Sequence, residues 1–232
     1  MRLPSLLVGL GLLTLAWIGP FAPRVLAAEL PALAADDRWA KEMRAFEAAD
    51  RASPPPDRPI VFTGSSSIRM WADLATDYPN LRVLNRGFGG STLKDLLRHF
   101  ERTILQYNPR QVVIYSGTND VNAGRPVDAV VGDLKTLVDR IHAELPQTRI
   151  LFVALALNPA RWDKRDLMIE ANGGIAACLA KDPRDSMINV NAVMLESDGQ
   201  PKADIFIADR LHMNRKGYEL WAPLIRPYLL PL

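Results

Sequence analysis

Short apolar runs alternate along this chain with longer stretches in which apolar side chains recur every third or fourth position. The runs are Pro59 to Thr63 (PIVFT), Leu81 to Leu84 (LRVL), Gln111 to Tyr115 (QVVIY), Arg149 to Leu155 (RILFVAL) and the weaker Met187 to Val190 (MINV). A strand covered on both faces carries this unbroken apolar signature, rich in Val and Ile, instead of strict alternation. Between the runs, Leu93, Leu96, Leu97, Phe100 and Ile104 fall at helical spacing. So do Val127, Val130, Leu134, Leu137, Val138 and Ile141, and then Met168, Ala171, Ile175, Cys178 and Leu179. A last helix after Asn214 carries Leu220, Trp221, Leu224 and Ile225, with Pro223 and Pro227 making its end irregular. Strands alternating with helices predict an α/β fold: a parallel sheet covered on both faces, with right-handed crossovers.

The ends of the pattern carry different signals. After Arg2, an apolar run from Leu6 to Ile18 is broken by Gly19 and Pro20 and followed by the small-residue stretches Val25 to Ala28 and Ala32 to Ala34. This order predicts a secretory signal peptide over residues 1–28, with cleavage after Ala27, Ala28 or Ala34, and a periplasmic or secreted protein. The run falls short of the roughly 20 apolar residues of a membrane span, so a retained anchor is the lesser reading. Residues 29–58 form a lead-in: a helix over Asp37 to Arg51, with Trp39, Met43 and Phe46 on one side, ended by Ser53-Pro54-Pro55-Pro56. Residues 59–232 are then one domain, a size that a single core fills.

Charge and cysteine narrow the function. Twenty-eight basic against 26 acidic residues give +2, and removal of Arg2 and Arg24 with the signal brings the chain near zero. That balance argues against an electrostatic grip on nucleic acid. Cys178 is the only cysteine, which excludes an internal disulfide and a cysteine-based zinc cluster. Its position on an apolar helical stripe predicts a buried structural thiol.

An open parallel sheet binds ligands beyond the carboxyl ends of its strands. The first run is followed by Gly64-Ser65-Ser66-Ser67-Ile68, and the second by Asn85-Arg86-Gly87-Phe88-Gly89-Gly90-Ser91-Thr92. The third is followed by Ser116-Gly117-Thr118-Asn119-Asp120, and the fifth, after a loop, by Asp209-Arg210-Leu211-His212-Met213-Asn214. Each piece has a plain structural use: serines cap helices, glycines permit tight turns, and Asn and Asp make local side-chain turns. His99 and His142 lie within helical segments and read as structural. The conjunction points further. Acyl transfer needs a hydroxyl nucleophile, a base, a group that orients the base, and donors aimed at the developing oxyanion. This edge offers all four, with Asp209 and His212 close enough in sequence to touch.

Together these blocks resemble the SGNH (GDSL-like) hydrolases over roughly residues 59–230. The first block corresponds to the family's Gly-Asp-Ser and puts the nucleophile at Ser66. The second (NRGFGGST) is similar to the platelet-activating-factor acetylhydrolase-like branch and offers Gly90. The third offers Asn119, and the last the pair Asp209 and His212. Ser65 departs from the pattern, since it stands where the family has Asp; Ser65 and Ser67 also flank the assigned nucleophile. The resemblance implies a three-layer α/β/α sandwich with sheet order 2-1-3-4-5. It also implies hydrolysis of carboxylic esters, of the short acyl, acetylated-sugar or lysophospholipid type, through an acyl-enzyme. Ser66, Asp209 and His212 would be catalytic, with the backbone N–H groups of Ser66 and Gly90 and the side chain of Asn119 forming the oxyanion hole. No metal or organic cofactor is called for. The partner implied is a small-molecule, glycan or lipid ester, with no stable membrane span once the signal is removed.

Trp71, Phe88, Arg161 and Trp162 fall near the same edge, either as the lining of an acyl or sugar pocket or as packed aromatics beside a solvated arginine. Two other functions use the same residues. A non-catalytic module binding acylated glycans is suggested by the Ser65 departure. A nucleotide or phosphate binder built on Gly87 to Thr92 is disfavoured, because the loop lacks a P-loop ending and has Thr92 where the dinucleotide fingerprint has its third glycine.

Overall fold

The computed structural model describes residues 30–231; the expected signal segment, residues 1–28, lies outside the described residues. The strands are β1 (Ile60–Gly64), β2 (Val83–Gly87), β3 (Gln111–Tyr115), β4 (Arg149–Val153) and β5 (Asp185–Ile188). They form one all-parallel sheet in the order β2-β1-β3-β4-β5.

Alternation along the strands divides the core in two. Val112, Ile114, Ile150 and Phe152 face one layer, where they pack with Met43, Leu96, Phe100, Leu134, Ile141, Met168 and Ile175. Val113, Tyr115, Leu151 and Val153 face the other, with Ile68, Trp71, Tyr78, Trp221 and Ile225. Successive strand side chains point to opposite faces, so a continuous apolar run is what a sheet between two helical layers requires. The first layer is built mainly from the helices Ala40–Ala52, Leu93–Arg98, Val127–Glu144 and Arg165–Leu179. The helix Arg215–Ile225 dominates the second. The architecture is the three-layer sandwich expected.

The differences lie at element ends. The apolar pattern put the second strand at Leu81 to Leu84, but β2 continues through Asn85, Arg86 and Gly87, which pair with Phe62, Thr63 and Gly64. The polar strand end is tolerated because its side chains are satisfied. Arg86 binds Asp50 and, at 2.6 Å, the Tyr107 hydroxyl. Asn85 Nδ2 donates to the Ile68 carbonyl at 2.6 Å. The fifth strand is two residues earlier than Met187 to Val190, because register with β4 starts at Asp185. The fourth ends at Val153, not Leu155, where pairing to β3 and β5 has run out.

The lead-in helix begins at Ala40, not Asp37, since Asp37 makes a turn in which its carboxylate accepts from the Trp39 N–H at 2.9 Å. Trp39 and Met43 are buried in the first core layer. Cys178 is half-buried instead of buried, lying off the line of Ile175 and Leu179, and burial pushes its thiol up. Among the described residues, no helix is long and apolar enough to cross a membrane.

Candidate active site

The order β2-β1-β3 makes β1 and β3 neighbours at the point where chain direction across the sheet reverses, which opens a crevice beyond their ends. Ser66 begins a short helix, Ser66–Arg69, immediately after β1. The turn between them depends on Gly64, whose φ of +125° is open to glycine, and any Cβ there would overlap the Tyr115 carbonyl oxygen. The Ser65 N–H donates to that same carbonyl at 2.9 Å, and the Ser65 carbonyl accepts from Ile68 and Arg69. Ser65 and Ser67 are buried, while Ser66 is partly exposed. As the first residue of a helix, Ser66 has a backbone N–H with no partner inside that helix.

Ser66 Oγ lies 2.7 Å from His212 Nε2. On the far side of the ring, His212 Nδ1 lies 2.6 Å from Asp209 Oδ2. The other carboxylate oxygen of Asp209 accepts from the backbone N–H groups of Leu211 and His212, both at 2.9 Å. This local turn passes through Arg210, which has a left-handed φ of +60°. It is fastened by hydrogen bonds from the Ile207 N–H to the His212 carbonyl and from the Ala160 N–H to the Arg210 carbonyl. Partial burial works to raise the Asp209 carboxyl, but hydrogen bonds from the imidazole and the two backbone groups outweigh it and lower it to about 2. The carboxylate is therefore ionised where histidine titrates, and it favours the tautomer with a proton on Nδ1 and a lone pair on the nitrogen facing Ser66.

Two more loops follow the ends of β2 and β3. Gly90 has a φ of +73° and precedes Ser91, whose carbonyl accepts from Asn119 Nδ2 at 2.9 Å. Asn119 lies in the turn of helix after β3, and its neighbour Asp120, fully buried, accepts from the Leu93 N–H at 3.3 Å and from Arg125 at 2.7 Å. Burial raises the Asp120 carboxyl, against the hydrogen bonds and charge of Arg125. One amide N–H of Asn119 is thus spent on Ser91 and the second remains for a ligand.

Of the residues foreseen at this edge, Ser66, Asp209 and His212 come into direct contact, and Gly90 and Asn119 are linked through Ser91. Trp71 and Phe88 do not line the crevice. They are 1% and 0% exposed and pack into aromatic clusters, Trp71 against Phe62, Tyr78, Tyr218 and Trp221, and Phe88 against Trp39 and His99. Arg161 is neither solvated nor distant: it is half-buried, and its Nη2 donates to Asn119 Oδ1 at 2.9 Å. Trp162 lines a cavity of about 220 Å³ with Pro159, Phe206 and Arg210, beside the Asp209 turn. His99 and His142 stay outside the site, beside Asp37 and Asp185.

Sequence reasoning missed three contributors. Trp39, in the lead-in, donates its indole N–H to the Gly89 carbonyl at 2.9 Å and so anchors the Gly89–Gly90 loop. Asn85 ties the end of β2 to the helix that starts at Ser66. Asn158 caps the turn that carries Arg161, accepting its backbone N–H at 3.0 Å. A capping asparagine before a proline is a recognisable signal; the other two contacts span 50 and 17 positions and leave none.

Known proteins share this fold. The family model of the GDSL-like lipase/acylhydrolase family matches residues 50–220. The platelet-activating factor acetylhydrolase IB subunit alpha1 of Bos taurus is 29% identical over 196 residues, covering 79% of this chain and 78% of that protein. The Homo sapiens protein of that name is likewise 29% identical over 196 residues, covering 79% of each. Among solved structures, one from Streptococcus pneumonia described as a platelet activating factor superposes with a TM-score of 0.72 at 18% identity, covering 82% of this chain and 92% of that one. A GDSL-like lipase from Bacteroides thetaiotaomicron superposes with a TM-score of 0.66 at 20% identity, over 80% and 96%. An acetyl xylan esterase from Geobacillus stearothermophilus gives 0.60 at 18%, over 76% and 97%. With a family match over most of its length and the fold those proteins share, this chain belongs to the GDSL-like lipase/acylhydrolase family and is an ester-hydrolysing enzyme.

Proposed function

We propose that the chain is a serine esterase that hydrolyses carboxylic esters through an acyl-enzyme on Ser66. The observation that carries the reading is the continuous chain from Ser66 Oγ to His212 Nε2 at 2.7 Å and from His212 Nδ1 to Asp209 at 2.6 Å. Ser66 Oγ attacks the ester carbonyl while His212 takes its proton, and Asp209 stabilises the imidazolium that forms. The oxyanion is held by the Ser66 and Gly90 N–H groups and by Asn119 Nδ2. One such donor is typically worth about 2.7–4 kcal/mol of barrier. His212 then protonates the departing alcohol. Water, activated by the same imidazole, attacks the acyl carbonyl and releases the acid, restoring the Ser66 hydroxyl. The chain's own groups carry every proton, so the reading calls for no metal or organic cofactor.

Short acyl groups are the proposed substrates, acetyl foremost. The acetyl-removing activity named in the mammalian relatives supports this. The sequence of residues 1–28 supports export, so the ester is proposed to be an envelope or extracellular one. A panel of p-nitrophenyl esters of rising chain length, with acetylated xylan, run beside Ser66→Ala, tests the reading. Turnover falling with chain length and absent from the variant is expected; undiminished turnover in the variant overturns it.

A further inference from the structure

Arg161 spends one N–H on Asn119 Oδ1, and its remaining guanidinium N–H groups have no acceptor among the described residues. No carboxylate stands against it, although it is half-buried, and burial lowers its pKa. Several buried or half-buried arginines elsewhere are matched, Arg86 with Asp50, Arg102 with Glu47, Arg125 with Asp120 and Asp133, and Arg140 with Glu101 and Glu144, whereas the Arg110 side chain, far from the site, bonds only the Pro231 carbonyl among the described residues. A partly desolvated cation without a counter-ion is costly unless a ligand supplies the charge.

Three more arginines, all exposed, stand on or against neighbouring segments. A side chain at Gly90 would begin 2.8 Å from Arg38 Nη2, so that guanidinium lies against the proposed oxyanion loop; it is carried over the Trp39 ring at 4.6 Å. A side chain at Gly89 would begin 2.8 Å from Arg69 Nε, and Arg69 ends the helix that Ser66 starts. Arg210 stands between Asp209 and His212 and lines the cavity with Trp162 and Phe206. Asp209, next to Arg210 in the chain, is taken up by His212. Four arginines therefore stand on or against the segments that build the proposed site, in a chain whose formal net charge is only +2. Walls of one sign focus the field and gather ligands of the other, and the planar guanidinium suits carboxylate and phosphate oxygens.

We infer that the natural ester carries an oxyanionic group, a carboxylate or a phosphate, close to the scissile bond, and that Arg161 receives it, with Arg38, Arg69 and Arg210 adding to the attraction. This rests on the serine-esterase reading of the same crevice. It makes Arg161 a specificity residue as well as the clamp on Asn119.

Three aryl acetates of similar shape test it: the anions para-acetoxybenzoate and para-acetoxyphenyl phosphate, and the neutral para-acetoxybenzamide, each normalised to its spontaneous hydrolysis. The readout is the ratio of kcat/KM for each anion to that for the amide. A ratio of about ten or more at low salt, expressed in KM and shrinking at about 0.5 M salt, is expected for recognition by charge. Whichever anion gives the larger ratio identifies the carboxylate or the phosphate source. Arg161→Gln should lower the ratio at least about fivefold, consistent with loss of a charge-assisted contact. Arg38→Gln and Arg69→Gln should lower it by smaller factors. If Arg161 only orients Asn119, its replacement slows all three esters alike and leaves the ratio unchanged, which overturns the inference, as does a ratio near one in the unaltered chain. The same ratio read as Kd on Ser66→Ala needs no turnover. It therefore judges the anion preference even if the nucleophile assignment fails, and folding defects are detected by circular dichroism of each variant.

Discussion

Ser66 and His212 lie 146 positions apart in the chain and meet at 2.7 Å, Oγ to Nε2, across the crevice between β1 and the loop that precedes the last helix. Neither residue has a neighbour in sequence that would bring this about. The contact exists because β1 and the last helix pack into one layer, with the Tyr218 hydroxyl donating to the Ser67 carbonyl at 2.8 Å directly beneath it. The Ser66–His212 pair is therefore mounted on a buried joint.

Replacement of the three adjacent serines separates their roles. Ser66→Ala is expected to abolish release of p-nitrophenol from the acetate ester. Ser65→Ala and Ser67→Ala, both at buried positions, should keep turnover within about tenfold of the unaltered chain, since neither touches His212. Near-normal release by Ser66→Ala, with loss in a neighbour, would move the nucleophile.

Asn119→Ala removes one proposed oxyanion donor and leaves the Ser91 carbonyl without its partner. The expected loss in kcat is about 100- to 1000-fold with little change in KM, the scale of a single such donor. A loss below about tenfold removes the side chain from the oxyanion hole.

The pH profile follows from the Asp209 shift. Its carboxyl is held down to about 2, so it stays ionised well below neutrality and does not lose its charge until strongly acid pH. A histidine base must be neutral, so kcat/KM should decline on the acid side through one ionisation while Asp209 keeps its charge. Asp209→Asn should lower kcat by roughly 10⁴, since the wrong tautomer is favoured while the hydrogen-bonded turn persists. A flat profile between about pH 5 and 9 speaks against an imidazole base.

Gly64→Ala tests the turn that delivers Ser66. The positive φ alone costs about 1–3 kcal/mol, and the overlap with the Tyr115 carbonyl adds to it. A fall in thermal midpoint by several degrees or outright misfolding is expected, and an unchanged midpoint would mean that β1 and β3 can separate there.

Trp39→Phe deletes the indole N–H that holds the Gly89 carbonyl while retaining an aromatic ring against Phe88. A stability loss of about 0.5–1.5 kcal/mol is expected from denaturant unfolding, the net worth of one hydrogen bond. A drop in kcat beyond that of the exposed control Lys41→Ala would tie the lead-in to the proposed oxyanion loop; equal kcat in the two would confine Trp39 to packing.

Much of this protein was written in the order of its residues. Continuous Val- and Ile-rich runs imply strands buried on both faces, and their alternation with helical stripes implies a parallel sheet, so QVVIY could be assigned to β3 without error. Motifs that follow strand ends necessarily gather at one edge, and a pair three residues apart, Asp209 and His212, touches across a largely local turn. The sequence left open whatever depends on which surfaces press together. Trp71 and Phe88 could be read from the sequence as pocket lining or as packed aromatics, and packing prevails because burying them in aromatic clusters removes far more apolar surface from water than a crevice wall would. Asn85, Arg86 and Gly87 look like loop and are strand, because the partners that satisfy their polar groups come from three other segments. Arg161 could be read as pocket lining or as solvated, and it holds Asn119, 42 positions away. Periodicity encodes contacts within a few residues; contacts between distant segments are fixed only when the layers close and decide which polar groups lose their water.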